Sequence, residues 1–258
     1  MKSLRENRQL RIDHKVHLRA EICSETLAEE LDDFREAQNV GIVSLMDHTP
    51  GQRQFRDTAQ LILYLKGKHG MSDDDIDKHF SNMRALQDRN GQRHREAAVR
   101  FANHNGAVLA SHDDTTAEDV AGSKAVRCRL AEFPTTIEAA AECNNAGIAV
   151  MMGAPNLMRG KSHSGNVSAA DLVTPGYLHI LSSDYVPSTL LRAAVKLGTM
   201  LDDMATGMAT VTSQPARVAG LQDRGRLAVG LRADMLRFGI ERSHPIIRGV
   251  WSRGRQVA

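Results

Sequence analysis

Cysteines, long apolar runs and an excess of charge of one sign are scarce or absent in this sequence, and each absence excludes a class of protein. The 258 residues include three cysteines without a Cys-x-x-Cys pair, which indicates reduced thiols rather than a disulfide framework. No apolar run approaches the roughly 20 residues that cross a bilayer, and the charged start of the chain lacks the apolar core of a signal peptide. We therefore expect a cytoplasmic protein.

The charge of the chain is nearly balanced. Its 33 lysines and arginines face 31 acidic residues, so the composition carries no signature of nucleic-acid or membrane binding, although a local anion site is allowed. A Walker motif is absent. The hydrophobic fraction of 41% is sufficient for a sizeable core. The sequence therefore predicts a soluble, globular protein.

A unit made of an apolar strand, a polar strand end and a helix recurs along the chain. In the clearest copy, an apolar run from Gly41 ends in Asp47 and His48 and is followed by a Pro-Gly turn and a helix-forming segment. The predicted strands begin at His17, Gly41, Ala107, Arg127, Gly147 and Tyr177. This alternation predicts a parallel sheet, and chemistry collects at the carboxyl ends of parallel strands.

Histidines and carboxylates stand at the predicted strand ends, and these side chains are the ligands that hold divalent ions. His48 and His112 each follow an apolar strand directly and precede a turn, which favours a role as ligands. For an aspartate the alternative is a helix cap, and Asp113 and Asp114 could cap the next helix. The full set of strand-end residues is Glu21, Asp47, His48, His112, Asp113, Asp114, Glu132, Asn156 and Asp184.

Basic and amide side chains accompany these strand ends. The loop 153–165 is rich in glycine, serine, arginine and lysine, as a lid or phosphate-binding loop would be, and arginine suits bidentate phosphate contacts. A solvated basic loop is the alternative reading of the same composition. The candidates for substrate binding are His17, Arg19, Arg53, Asn156, Arg159, Lys161, His163 and Asn166.

Several long segments resemble one known family. They are SLMDHTPGQRQF, LASHDDTT, EFPTT, GAPNLMRGKSHSGN, LSSDYVP and the tail TSQPARVAGLQDRGRLAVGLRADMLRF. They are similar to the α-D-ribose 1-methylphosphonate 5-triphosphate diphosphatases of the carbon-phosphorus lyase pathway, in the amidohydrolase superfamily. The similarity runs from about residue 14 to the C-terminus.

The resemblance implies an α/β fold of the amidohydrolase type, a (β/α)8 TIM-like barrel. Here the barrel would be incomplete, with about six βα units, and remnants of a small β-sandwich would follow at the C-terminus. Residues 1–220 would form the partial barrel and residues 221–258 the accessory strands. Because the sequence lacks the sandwich segment and the histidine-bearing strand with which superfamily members begin, we expect an N-terminally truncated copy.

The resemblance also implies a reaction and its machinery. The reaction is hydrolysis of a ribose phosphonate triphosphate to the 5-phosphate and diphosphate, with a divalent metal that we expect to be Zn²⁺ or Mn²⁺. Asp184 would bind metal and accept the proton of the attacking water, and Arg53, Arg159 and Lys161 would bind the triphosphate. The implied metal ligands are Glu21, His48, His112 and Asp184.

Two other functions stay open at this point. A C–N hydrolase or deaminase could use the same scaffold, since a fold does not fix the substrate, although the basic loop after Asn156 argues against it. The chain could also be a catalytically silent fragment that serves only as a binding partner of other phosphonate-pathway proteins. The sequence leaves the number of metal ions and the presence of a homo-oligomer open.

Overall fold

A computed structural model of the chain describes residues 4, 7, 9–36, 39–55, 58–162 and 165–258. The chain divides into two compact units. The first, called the sheet unit below, consists of Val16–Met151 and Lys161–Leu178, and the second, called the terminal unit, of Met1–Lys15, Met152–Gly160 and His179–Ala258. The expected boundary between residues 220 and 221 stays a prediction.

Short strands follow one another in chain order through one sheet. They are β1 (Val16–Glu21), β2 (Val40–Met46), β3 (Val108–His112), β4 (Leu130–Glu132), β5 (Ala149–Gly153) and β6 (Ile180–Ser182). The order in the sheet is β1-β2-β3-β4-β5-β6, and the pairs from β1 to β5 are parallel. The predicted α/β class, with six strands in βα succession, is confirmed.

Helices connect these strands. They are α1 (Leu27–Asp32), a 3-10 turn (Arg53–Phe55), α2 (Thr58–His69), α3 (Asp73–His104), α4 (Ala117–Ala125), α5 (Ile137–Asn145) and α6 (Ala154–Arg159). The long helix α3 begins with a capping box between Ser72 and Asp75. The aspartates of its first turn are stabilised by the positive end of the helix dipole. The helix continues without a break through Asn90 and Gly91.

The core of the sheet unit lies between the strands and helix α3. Val43 of β2 and Leu109 of β3 pack in one cluster with Ala98 and Ala102 of α3, and Val43 and Ala98 are fully buried. Because alanine side chains are small, the backbone of α3 can approach the sheet closely. This packing brings the middle of α3 alongside the ends of β1 and β2, where the polar residues begin.

The terminal unit contains helices followed by a small sheet. After the 3-10 turn Pro187–Thr189 come α7 (Leu190–Met200), α8 (Met204–Ala209), α9 (Ser213–Val218), β7 (Met235–Glu241), β8 (His244–Ser252) and β9 (Arg255–Gln256). The last three strands are antiparallel in the order β7-β8-β9, which confirms the small sheet expected at the C-terminus. Among the helices of the described residues, none is both long and apolar enough to span a bilayer.

Candidate functional site

Two imidazoles and a carboxylate meet where β2 and β3 end. His48 follows β2, His112 closes β3 and Asp113 comes next, and one ligand atom from each lies within 4.8 Å of the others. The ring centroids of His48 and His112 are 6.1 Å apart. They meet because paired parallel strands end at the same edge of the sheet. Histidine nitrogens with a carboxylate oxygen form a donor set that suits zinc or manganese, so these residues fit a divalent ion.

A carboxylate lies on the Nδ1 atom of each imidazole. Glu21 Oε2 is 2.5 Å from His48 Nδ1, and Asp113 Oδ2 is 2.8 Å from His112 Nδ1. Such a contact fixes the tautomer and leaves Nε2 as the ligand atom. Glu21 therefore lies behind His48 as an orienting group in this structure, and its expected role as a metal ligand stays a prediction.

The backbone at the end of β3 directs Asp113 toward the cluster. Asp113 has a φ of 55°, a left-handed conformation that costs about 1 kcal/mol or more for a residue other than glycine. Its N–H donates to the Glu132 carbonyl at 2.8 Å, which helps to hold that conformation. Helix α4 is capped by Thr116, whose hydroxyl accepts the Asp119 N–H at 3.2 Å. The alternative reading of Asp113 as a helix cap is therefore wrong.

Arg53 is a mostly buried side chain that hydrogen-bonds to the backbone of the candidate ligand His112. Its Nη1 donates to the His112 carbonyl and to Asp114 Oδ1, both at 2.7 Å. The Asp114 side chain is fully buried, and that of Arg53 is 11% exposed. Burial lowers the pKa of Arg53, but the charge and hydrogen bond of Asp114, together with the charges of Asp119 and Asp47, outweigh burial and raise this pKa above its usual value. Arg53 thus stays a cation and is committed to the protein interior, so its expected triphosphate contact stays a prediction.

Asp114 is more than a partner for Arg53. It accepts hydrogen bonds from the hydroxyls of Ser111 and Ser123, the latter at 3.2 Å. Two serines and one arginine satisfy this buried carboxylate, as a charge without solvent requires. Asp114 therefore does not cap helix α4 either, and it fixes the end of β3 against α4.

His17 connects β1 to β2 and β4 beside the cluster. Its Nε2 lies 2.5 Å from Ser44 Oγ and 3.2 Å from Glu132 Oε1. Burial lowers the pKa of His17, and the charges of Arg19 and His112 lower it further, against the opposing charge of Glu132. The imidazole is therefore neutral near pH 7. Glu132 Oε1 is buried without a well-formed hydrogen bond among the described residues. Its separation of 3.2 Å from His17 Nε2 is therefore a close approach of the two groups and not a well-formed hydrogen bond.

Arg19 brings positive charge to the same edge. Its Nη2 lies 3.4 Å from His112 Nε2, and the residue is exposed. A metal ion bound at His112 Nε2 would replace this contact and leave the guanidinium beside the site, where it could meet an anionic group. The sheet unit therefore brings together the expected residues Glu21, His17, Arg19, Arg53, His48 and His112.

The terminal unit holds a second group of the expected residues. Asp184 is exposed, with a φ of 49°, and a Cβ added to Gly153 would lie 2.7 Å from its Oδ2. Glycine at position 153 therefore makes room for the Asp184 carboxylate. Asn156 is half-buried in α6, and Arg159 Nη2 donates to the Tyr185 hydroxyl.

Three of the expected residues remain to be placed. Lys161 and Asn166 belong to the sheet unit, where Lys161 is exposed and Asn166 is half-buried. His163 lies outside the described residues. The substrate-binding roles of all three stay predictions.

Asp113 and Glu132 were strand-end candidates that the sequence did not select as site residues. One signal for Asp113 was present: Thr116 and Asp119 have the spacing of a capping box. Because that pair already caps α4, the preceding aspartates were left for other partners. Apart from its place at a strand end, nothing local marks Glu132, whose neighbour His17 is distant along the chain.

The raised pKa of His48 predicts how the thermal stability of the metal-free protein depends on pH. Burial lowers this pKa, but the hydrogen bond and charge of Glu21 and the charge of Asp113 outweigh burial and raise it above 6.5. Such a group stabilises the fold fully below its unfolded pKa, and the contribution is lost as the pH rises through the folded pKa. We expect the Tm advantage of the wild type over Glu21→Gln, in chelator-treated protein, to shrink as the pH rises above about 6.5, the ordinary pKa of histidine.

The control for this experiment is Glu25→Gln, at an exposed position. Its Tm difference from the wild type should be small and should not change over the same pH range. A Tm advantage over Glu21→Gln that grows with pH would contradict the assigned direction of the His48 pKa.

Comparisons with known proteins give one extensive sequence match. The chain is 40% identical over 250 residues to alpha-D-ribose 1-methylphosphonate 5-triphosphate diphosphatase of Escherichia coli (strain K12), which covers 96% of this chain and 66% of that protein. The chain therefore spans just under two thirds of the length of this relative. No family model matches.

Solved structures show partial similarity. An amidohydrolase has a TM-score of 0.46 and 18% identity, over 62% of this chain and 47% of that chain. A Xaa-Pro dipeptidase with methionine bound in its active site has a TM-score of 0.46 and 11% identity, over 94% and 85% of the two chains. L-Hydantoinase from Arthrobacter aurescens has a TM-score of 0.43 and 14% identity, over 94% and 64%.

Proposed function

Because the chain belongs to the family of the Escherichia coli alpha-D-ribose 1-methylphosphonate 5-triphosphate diphosphatase, we propose that it is a metal-dependent diphosphatase of phosphonate catabolism. It would hydrolyse alpha-D-ribose 1-methylphosphonate 5-triphosphate to the 5-phosphate and diphosphate. The observation that carries the proposal is the cluster of His48, His112 and Asp113, whose ligand atoms converge within 4.8 Å. A cytoplasmic location is part of the proposal.

The donor set supports a divalent ion, Zn²⁺ or Mn²⁺. His48 and His112 would bind it through Nε2, because their Nδ1 atoms face Glu21 and Asp113. Asp113 would add an oxygen ligand after releasing His112 Nδ1, because a carboxylate that faces Nδ1 is too far from an ion on Nε2, and the family resemblance adds Asp184. Once bound, a divalent ion would supply an acidified water and polarise a phosphoryl oxygen.

The residues of the chain would divide the remaining work. In the reaction, the oxygen of water bonds to phosphorus and the anhydride bond between the α- and β-phosphoryl groups breaks. Asp184 would accept the proton of that water, because its carboxylate is exposed just after β6 and a carboxylate can act as a general base. Arg19 lies exposed beside His112 and would offset the negative charge of the triphosphate.

The basic loop would bind the rest of the substrate. Arg159 and Lys161 are both exposed, and long cationic side chains can follow the phosphate groups as they bind. Glu132 Oε1, buried without a well-formed hydrogen bond among the described residues, is suited to accept a hydrogen bond from a hydroxyl of the sugar.

An assay of diphosphate release tests the proposal. The purified chain, supplied with Zn²⁺ or Mn²⁺, should release diphosphate from this substrate, and a chelator should stop the release. Asp184→Asn should lose the activity while the protein stays folded. Asp202→Asn is the matched control and should keep the activity, because Asp202 is also exposed and also has a positive φ, of 51°.

The same assay separates the alternatives. A folded, metal-loaded protein that releases no diphosphate would refute the proposed activity and leave the family membership standing. Hydrolysis of a cyclic amide in place of the triphosphate would favour the C–N hydrolase reading. Inactivity toward both substrates would favour a silent binding partner.

A further inference from the structure

One face of helix α3 contacts the ends of β1 and β2. The residues that form this face are spaced by four, three and four positions, which places them on one side of a helix. They are Met83, whose carbonyl accepts from Cys23 Sγ at 3.0 Å; Gln87, whose Nε2 donates to Asp47 Oδ2 at 2.8 Å; Asn90, whose Nδ2 donates to the Ser24 carbonyl at 3.0 Å; and His94, whose Nδ1 lies 3.1 Å from the Ile22 carbonyl. The helix thus holds the segments that follow both strands.

Asp47 is the point at which this face reaches the metal cluster. Its Oδ1 accepts the Thr49 N–H at 3.0 Å and the Thr49 hydroxyl at 2.6 Å. Its Oδ2 accepts from Gln87, so both carboxylate oxygens are used and the residue is 8% exposed. His48 lies between Asp47 and Thr49, and the backbone on both sides of this candidate ligand is therefore fixed.

The position of the Gln87 amide depends on Gly91. A carboxylate only accepts hydrogen bonds, so the amide nitrogen of Gln87 must face Asp47, and its carbonyl oxygen points the other way. That oxygen lies 1.6 Å from the place that a Cβ on Gly91 would occupy. The Gln87 side chain therefore lies in the space that the glycine leaves.

A glycine in the interior of a helix otherwise has only a cost. Glycine lowers helix stability relative to alanine, and Gly91 is buried in the middle of α3. Its φ is not in the left-handed region, so the backbone itself does not require glycine. The close approach of Gln87 explains its presence.

We propose that Gln87 is a positioning residue for the metal cluster. Gly91, which has no side chain, leaves the space that the Gln87 amide occupies. Through Asp47, Gln87 fixes the turn from Asp47 to Thr49 and so aims His48 toward His112. This inference rests on the proposed function for the identity of the ligand, a divalent ion, and the geometry of the turn stands independently of it.

The test is Gly91→Ala, which displaces the end of the Gln87 side chain without forcing the backbone. We expect the Thr49 amide to exchange with solvent about 10-fold faster, because Asp47 loses its anchor. We expect the affinity for Zn²⁺, measured by calorimetric titration, to fall about 10-fold, as it does when groups that orient metal ligands are removed. Gly67→Ala is the matched control, since a Cβ at this exposed helix glycine meets no atom of the described residues within 4 Å.

A double-mutant cycle separates positioning from stability. In a Gln87→Ala background, Gly91→Ala should raise the Tm by about 2 °C through helix propensity alone. In the wild-type background the gain should be smaller, because the hydrogen bond to Asp47 is lost at the same time. Each single variant should lower the zinc affinity by a similar factor, and the double variant should show no further loss.

Two results would overturn the inference. The first is a Gly91→Ala protein with unchanged Thr49 exchange, and the second is an equal additional loss of zinc affinity when Gly91→Ala is added to Gln87→Ala. If the wild-type protein binds no zinc or manganese, the metal part of the proposed function fails, and Thr49 exchange alone then decides whether Gln87 fixes the turn.

Discussion

His48→Ala is expected to lower the affinity for Zn²⁺ by about 100-fold or more, since the loss of one ligand in a small set removes a substantial share of the binding free energy. The effect is large because the cluster offers few ligands: His112 and Asp113 would remain in the sheet unit. Diphosphate release should disappear together with the bound metal. Calorimetric titration with zinc, followed by the release assay, measures both effects.

Two variants make this result specific. His104→Ala, at an exposed position at the end of α3, should leave zinc affinity unchanged. Glu21→Gln keeps His48 but weakens the contact that orients its ring, so the loss should be about 10-fold to 100-fold. If His48→Ala binds zinc as tightly as the wild type, the cluster is not the metal site.

Arg53→Met is expected to destabilise the fold by about 3 kcal/mol, because breaking a buried ion pair on one side leaves the other charge uncompensated. Among the described residues, the fully buried Asp114 would keep two serine hydroxyls as donors. The His112 carbonyl would lose its donor as well. The Tm should fall by about 6 to 12 °C for a chain of this size, which a thermal melt measures.

The matched control is Arg35→Met. Arg35 and Asp32 also form an arginine–aspartate pair, at 2.6 Å, but their side chains are 63% and 64% exposed. An exposed pair contributes about 0 to 1 kcal/mol, so this variant should change the Tm little. Equal Tm losses for Arg53→Met and Arg35→Met would contradict the assignment of Arg53 to a buried support.

Much of the fold could be predicted because its signals are local. Apolar runs that end in polar residues predict buried parallel strands, and the strand around Val43 is buried as expected. The small terminal sheet was also expected within residues 221–258, and its first strand begins at Met235. Gly225 and Gly230 have φ values of 98° and 84°, and such left-handed turns interrupt an extended strand.

The candidate site could be predicted in part. His48 and His112 were identified because each follows an apolar strand, and parallel strands bring their ends to one edge. The partners that fix them could not be read in the same way. Arg53 suggested a phosphate contact, and only the structure pairs it with Asp114, 61 positions away.

By itself, the sequence determined the βα alternation, the residues at the strand ends and, through long motifs, the family. Only the tertiary structure decided which side chains form the candidate metal cluster and which side chains orient them. Gln87 and Gly91 illustrate the reason: a glycine in a helix looks unfavourable until the amide that occupies its space, and the carboxylate 40 positions away that the amide binds, are known. Propensity acts over a few residues, whereas burial and hydrogen-bond satisfaction depend on segments that meet only in the folded chain.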